Sequence, residues 1–144
     1  MFRRVILTAL CISLATGLTV QALQESANEK DKKALQGKWD IVSVASAGKE
    51  QKPKGAFVSF DGGKLTFTPK LVDFSEFSFN LDASKTPKTL DLKSEGDASF
   101  GIYELKGDDL KLCLDGREPV SKNRPKEFVA SEHTILMVLR RVKK

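Results

Sequence analysis

The stretch FGIYELKGDDLKLCL, Phe100 to Leu114, is the part of the chain whose reading decides the fold. Two alternating runs flank a loop, KGDD, that carries hairpin turn chemistry. A four-residue loop sets Leu105 opposite Leu110, Glu104 opposite Lys111, Tyr103 opposite Leu112 and Ile102 opposite Cys113. One face then carries Tyr103, Leu105, Leu110, Leu112 and Leu114. The other carries a Glu–Lys pair, as suits a face in water. Slipping the register by one residue would drive that pair into the core, where an unmatched charge is costly.

The same pattern extends outward in both directions. In FVSF-DGGK-LTFT, Val58, Phe60, Leu65 and Phe67 share one face. Phe77, Phe79 and Leu81 alternate with Ser78, Asn80 and Asp82, and Leu90 and Leu92 alternate with Thr89 and Asp91. Strand-like runs are expected at 38–45, 56–60, 64–68, 72–81, 89–92, 100–105, 110–114, 126–129 and 134–142, divided by turn-forming segments. No stretch sustains a helical period. Short strands with one apolar face each predict an all-β fold, an up-and-down antiparallel barrel of about eight strands, because closure buries that face and removes exposed edges.

The ends of the chain complete this reading. MFRRVILTALCISLATGLTVQA has the parts of a secretory signal: Arg3 and Arg4, an apolar stretch diluted by Thr, Ser and Gly, and a small-residue site ending at Ala22. The expected organisation is a signal peptide at 1–22, a polar linker or short helix at 23–34 and the barrel at 35–144. Cleavage after Ala22 implies a secreted or periplasmic protein with no remaining membrane span. It removes two arginines and no acids, so the formal charge falls from +5 to +3. That mixed surface is not the focused basic field required for nucleic acid. With Cys11 gone, Cys113 has no disulfide partner, and the fold must hold by packing.

The single tryptophan sits in ALQGKWDIVSV, two residues after Gly37, where the first strand starts. Gly37 lets the chain turn closely across one end of the barrel before Trp39 points inward to plug it. In the last strand Ile135, Met137, Leu139 and Arg141 share a face, which brings the Arg141 guanidinium over the indole. This pairing of Gly37-x-Trp39 with a late arginine resembles the structural signature of lipocalins. LQGKWDIVSV, KTPKTLDL, GIYELKGDDLKLCL and RPKEF followed by ILMVLRR resemble, more specifically, a family of small secreted lipocalin-like domains of uncharacterised function that is abundant in planctomycete bacteria. The resemblance implies an exported barrel of about eight strands and carries over no catalytic residues.

Candidate chemistry is sparse. Cys113 has no base beside it in the hairpin register, so it reads as an unreactive thiol. His133, the only histidine, lies in the turn before the last strand. One Cys and one His make no zinc set, and neither a metal nor a cofactor is expected. Arg124 and Glu127 read as a structural ion pair. The carboxylates Asp61, Asp73, Glu76, Asp82, Asp91, Asp97, Asp108 and Asp109 fall in turns or on outer faces, so no acid–base pair forms on a shared inner face. The lysine-rich loop GKEQKPKG reads as solvated, at the end opposite Trp39.

The inner face is the remaining signal. Phe60, Phe67, Phe77, Phe79, Leu112 and Met137, with Tyr103 and Ser43 as polar orienting groups, are the expected lining for a small apolar ligand. The expected function is therefore a monomeric, non-catalytic carrier. The alternative is a barrel filled by its own side chains that serves as a protein–protein interaction module of the cell envelope, using outward positions such as Phe57, Phe100 and Ile102.

Overall fold

The computed structural model describes residues 16–69, 76–116 and 123–144. One helix, α1 (Thr16–Leu35), precedes the strands β1 (Gly37–Ser46), β2 (Lys49–Gln51), β3 (Phe57–Asp61), β4 (Lys64–Thr68), β5 (Glu76–Asp82), β6 (Lys88–Ser94), β7 (Asp97–Lys106), β8 (Asp109–Asp115) and β9 (Thr134–Arg141). Neighbouring strands pair antiparallel from β3 through β9, and β9 returns to β1, which also pairs with β3. The result is the expected closed up-and-down barrel of eight strands, with β2 as an extra strand on the far half of β1.

Both registered hairpins form as the alternation requires. Tyr103 faces Leu112, Glu104 faces Lys111 and Leu105 faces Leu110. Val58 faces Phe67, and Phe60 faces Leu65. The Glu104–Lys111 pair lies outside at 3.6 Å. Trp39, Val58, Phe60, Leu65, Leu90, Leu112 and Leu139 meet inside in one continuous core. Burial of that apolar face is the main force holding the barrel closed.

Three features of the strands and loops depart from the sequence expectation. First, β1 carries a β-bulge between Ile41 and Ser43. The extra residue resets the alternation, so Ser43 pairs with Val138 on the outer face while Val44, beside Met137, packs against the core. Ser43 therefore does not line the interior. Second, residues 126–129 form no strand. They belong to a strap, 123–133, that crosses the outside of the barrel between β8 and β9. Third, the lysine-rich loop contains β2, reached through a tight turn in which Ala47 and Gly48 both take positive φ. The front part of the 72–81 run, like residues 1–15 of the expected signal, lies outside the described residues.

The helix is longer than the 23–34 expected and continues through the position of Ala22. No helix among the described residues is long and apolar enough to cross a membrane. The C-terminal half of α1 lies across the end of the barrel where β1 begins. Gln36 exchanges two hydrogen bonds with Gly62 in the β3–β4 turn, at 2.8 and 3.1 Å. Asn28 accepts from the Ala83 amide of the β5–β6 loop at 2.7 Å. Leu35 completes the core from below.

Candidate functional site

At the closed end the expected plug is in place. The Trp39 indole is fully buried and donates to the Leu35 carbonyl at 2.8 Å. The Arg141 guanidinium stacks 4.2 Å from the ring centroid. It also donates to the carbonyls of Ala34 and Gln36, and meets Asp108 at 3.2 Å. Arg141 thus satisfies carbonyls that the helix end leaves without intrahelical partners. Gly37 has φ +111°, a backbone conformation suited to glycine.

Beside the plug sits a polar cluster that the sequence did not reveal. Asp31 of α1, nearly buried, accepts from the Tyr103 hydroxyl and from the Lys88 ammonium, each at 2.7 Å. Tyr103 and Lys88 face each other on neighbouring strands. Burial, aided by the hydrogen bond and charge of Asp31, pushes the Tyr103 phenol far above its ordinary value. Its hydroxyl is committed to holding the helix and is not free to orient a ligand. Asp31 sits in a run, QESANEKDKK, that reads as solvated charge, so only the helix placement exposes its role.

Apart from Ser43, the expected ligand-lining residues do point inward, and the apolar ones pack on one another. Phe60 and Phe79 meet edge-to-face at 5.3 Å, as do Phe67 and Phe77 at 5.8 Å. Phe60, Phe67, Phe79, Leu112 and Met137 are buried, and Phe77 is half-buried against them. Among the described residues the inner face is closely packed, as eight strands allow.

The outer wall carries open volume. Arg124 of the strap donates to the carbonyl of Gly101 at 2.7 Å, and reaches that of Leu90 at 3.4 Å. Its second nitrogen contacts the Asp91 carboxylate at 2.6 Å, and the guanidinium lies over Phe100 at 5.4 Å. Arg124 is therefore paired with Asp91 on β6, not with the expected Glu127. Pinned this way, the strap covers outward-facing Ile102, leaving it 1 % exposed, and Cys113, which donates to the Val129 carbonyl at 3.7 Å. Burial pushes the Cys113 thiol up, away from the reactive thiolate. The Lys38 ammonium lies over the Phe57 ring at 3.7 Å, and Phe57 and Phe100 are half-buried. His133 is exposed in its turn.

Between the strap and the β5–β6 loop runs a groove of about 790 Å³. Lys85, Thr86 and Pro87 form one wall, and Arg124, Pro125 and Lys126 form the other. Asn80, Thr89, Asp91 and Ile102 lie along its floor. Among the described residues no group of three or more His, Cys, Asp or Glu side chains is placed to hold a metal ion. Comparison of this chain with protein families, curated proteins and solved structures finds no match.

Proposed function

We propose that this protein is an exported, non-catalytic binding module whose filled barrel is a scaffold and whose working surface is the groove on its outer wall. The observation that carries this reading is the contrast between the two faces. The inner aromatic positions are consumed by packing against each other, and Tyr103 is consumed by Asp31. The outer groove, by contrast, is open, walled on both sides and held in shape by the four-way grip of Arg124. Pre-formed concavity with a few convergent polar groups is what a binding site requires. The carrier alternative needs the core to open, which would sacrifice close-packed contacts.

The test is residue-resolved NMR of the purified protein, titrated with extracts of the host envelope. Amide shifts clustered at Thr89, Ile102 and Lys126 are expected. Shifts centred on Phe67, Phe79 and Met137, or no shifts with any fraction, would overturn the reading in favour of interior carriage or of another surface.

A further inference from the structure

We infer that the outer groove takes an extended acidic peptide segment, with acidic side chains bracketing a small apolar one. This rests on the reading of the groove as the working surface and adds the class of partner. The charges in the groove are not equivalent. Asp91 is held by Arg124 at 2.6 Å, and Asp82 accepts from the Ser84 amide and hydroxyl at 3.0 and 2.6 Å. Its anions are thus already matched within the fold. Lys85 and Lys126 have no ion-pair partner among the described residues, and both are exposed. They stand on opposite walls, one on the β5–β6 loop and one on the strap. The uncommitted charge is cationic at two separated points, so the complementary occupant carries anionic groups at two points.

The surface between the lysines narrows the class further. Pro87 on the β5–β6 loop and Pro125 on the strap, both half-buried, give the groove apolar surface for a small aliphatic side chain. Asn80, Thr86 and Thr89 line the remainder with side-chain donors and acceptors that a peptide backbone can use. No aromatic ring is among the lining residues, and Phe100 lies beneath Arg124. A sugar ring packs best on an aromatic face, so the lining favours peptide over acidic polysaccharide. Charge matching of this kind sets orientation and association rate as much as affinity.

The experiment uses the purified protein and three probes: an octapeptide pool alternating Asp or Glu with Val, Ile, Leu or Pro; the same pool with Asn or Gln replacing the acids; and polygalacturonate. Amide shifts are read by NMR. The acidic pool is expected to shift Lys85, Thr86, Thr89, Ile102 and Lys126. Binding should weaken at least about fivefold in the K85Q/K126Q double variant, the combined loss expected for two exposed ion pairs, and should fall in high salt. Both lysines are exposed and unpaired among the described residues, so the variant retains its fold, which an unchanged spectrum elsewhere confirms. Groove shifts from the neutral pool alone, or from polygalacturonate alone, overturn the acidic-peptide assignment while leaving the groove as the working surface. An acidic-pool response that is insensitive to K85Q/K126Q overturns the assignment too, as does the absence of groove shifts with all three probes. In that last case the envelope-extract titration decides separately whether the groove is used at all.

Discussion

The Tyr103 hydroxyl and the Asp31 carboxylate, 72 positions apart in sequence, meet at 2.7 Å beneath the barrel. One belongs to a central strand and the other to the helix, and Lys88 closes the cluster from the strand beside Tyr103. Removing either Tyr103 or Asp31 leaves the other, which is buried, with a lost hydrogen bond. Tyr103→Phe is therefore expected to destabilise the fold by about 1–2 kcal/mol, and Asp31→Ala by about 2–3 kcal/mol. In the double variant the two losses should fall short of additive. Urea denaturation followed by Trp39 fluorescence measures all three.

The same contact fixes an alkaline limit. Burial first, then the hydrogen bond and charge of Asp31, hold the Tyr103 phenol well above its ordinary value of 10.0. A group whose pKa is raised on folding contributes stability that is complete below the unfolded value and lost as pH rises above it. Stability should therefore fall above about pH 10, and the fall should be shallower in Tyr103→Phe. Tyr103 is the only tyrosine, so absorbance at the tyrosinate band reports this one group. No tyrosinate should form before the barrel unfolds.

Arg141 ties the last strand to the first helix through carbonyl contacts, Asp108 and the Trp39 ring. Arg141→Gln should cost about 2–3 kcal/mol, since it removes hydrogen bonds to otherwise orphaned carbonyls together with the cation–π contact. Arg141→Lys should recover only part of this, because an ammonium cannot reproduce the planar fork. The midpoint of chemical denaturation distinguishes the two.

The strap gives a thiol readout. In a Cys11→Ser background Cys113 is the single thiol, and it is fully buried under the strap. Arg124→Ala releases the grip on Gly101, Leu90, Asp91 and Phe100. Labelling of Cys113 by a thiol reagent should accelerate by about tenfold, the ratio for an opening made easier by about 1.4 kcal/mol. The barrel's own unfolding midpoint should move far less.

Gly101 marks a place where the strands approach too closely for any side chain. A Cβ there would come within 2.7 Å of the Cys113 carbonyl oxygen and 2.5 Å of a Leu114 methyl. Gly101→Ala is expected to cost about 2–3 kcal/mol through overpacking against backbone that has nowhere to go. Differential scanning calorimetry would show it as a lowered Tm.

Legibility in the sequence followed the range of each interaction. Hairpin registers were readable because the Glu104–Lys111 pair and the flanking leucines are neighbours across one short turn, so alternation alone chose the inner face. The Trp39–Arg141 contact was readable because one residue starts the first strand and the other ends the last, which antiparallel closure brings to the same end of the barrel. The bulge at Val42 was not, since WDIVSV alternates acceptably with or without an extra residue. The strap misled because KEFV has strand composition while its partner is the outside of a finished barrel. Asp31, Arg124 and the groove were invisible for a related reason. Their partners come from distant segments, and a charged residue in a charged run carries no local mark of the pocket it will enter.

The contact between β1 and β9 has a consequence for how the protein is made. β1 pairs with β9 from Trp39–Arg141 to Ala45–Leu136, so most of the first strand has no second neighbour until the final strand has been synthesised. Until then β1 and β8 each present an unpaired edge, the kind of edge that recruits foreign strands. Closure joins residues about a hundred positions apart, a slow step set by topology more than by stability. A chain of this kind is most vulnerable in the interval before its last strand arrives, and a chaperone holding it there would need to shield those two edges.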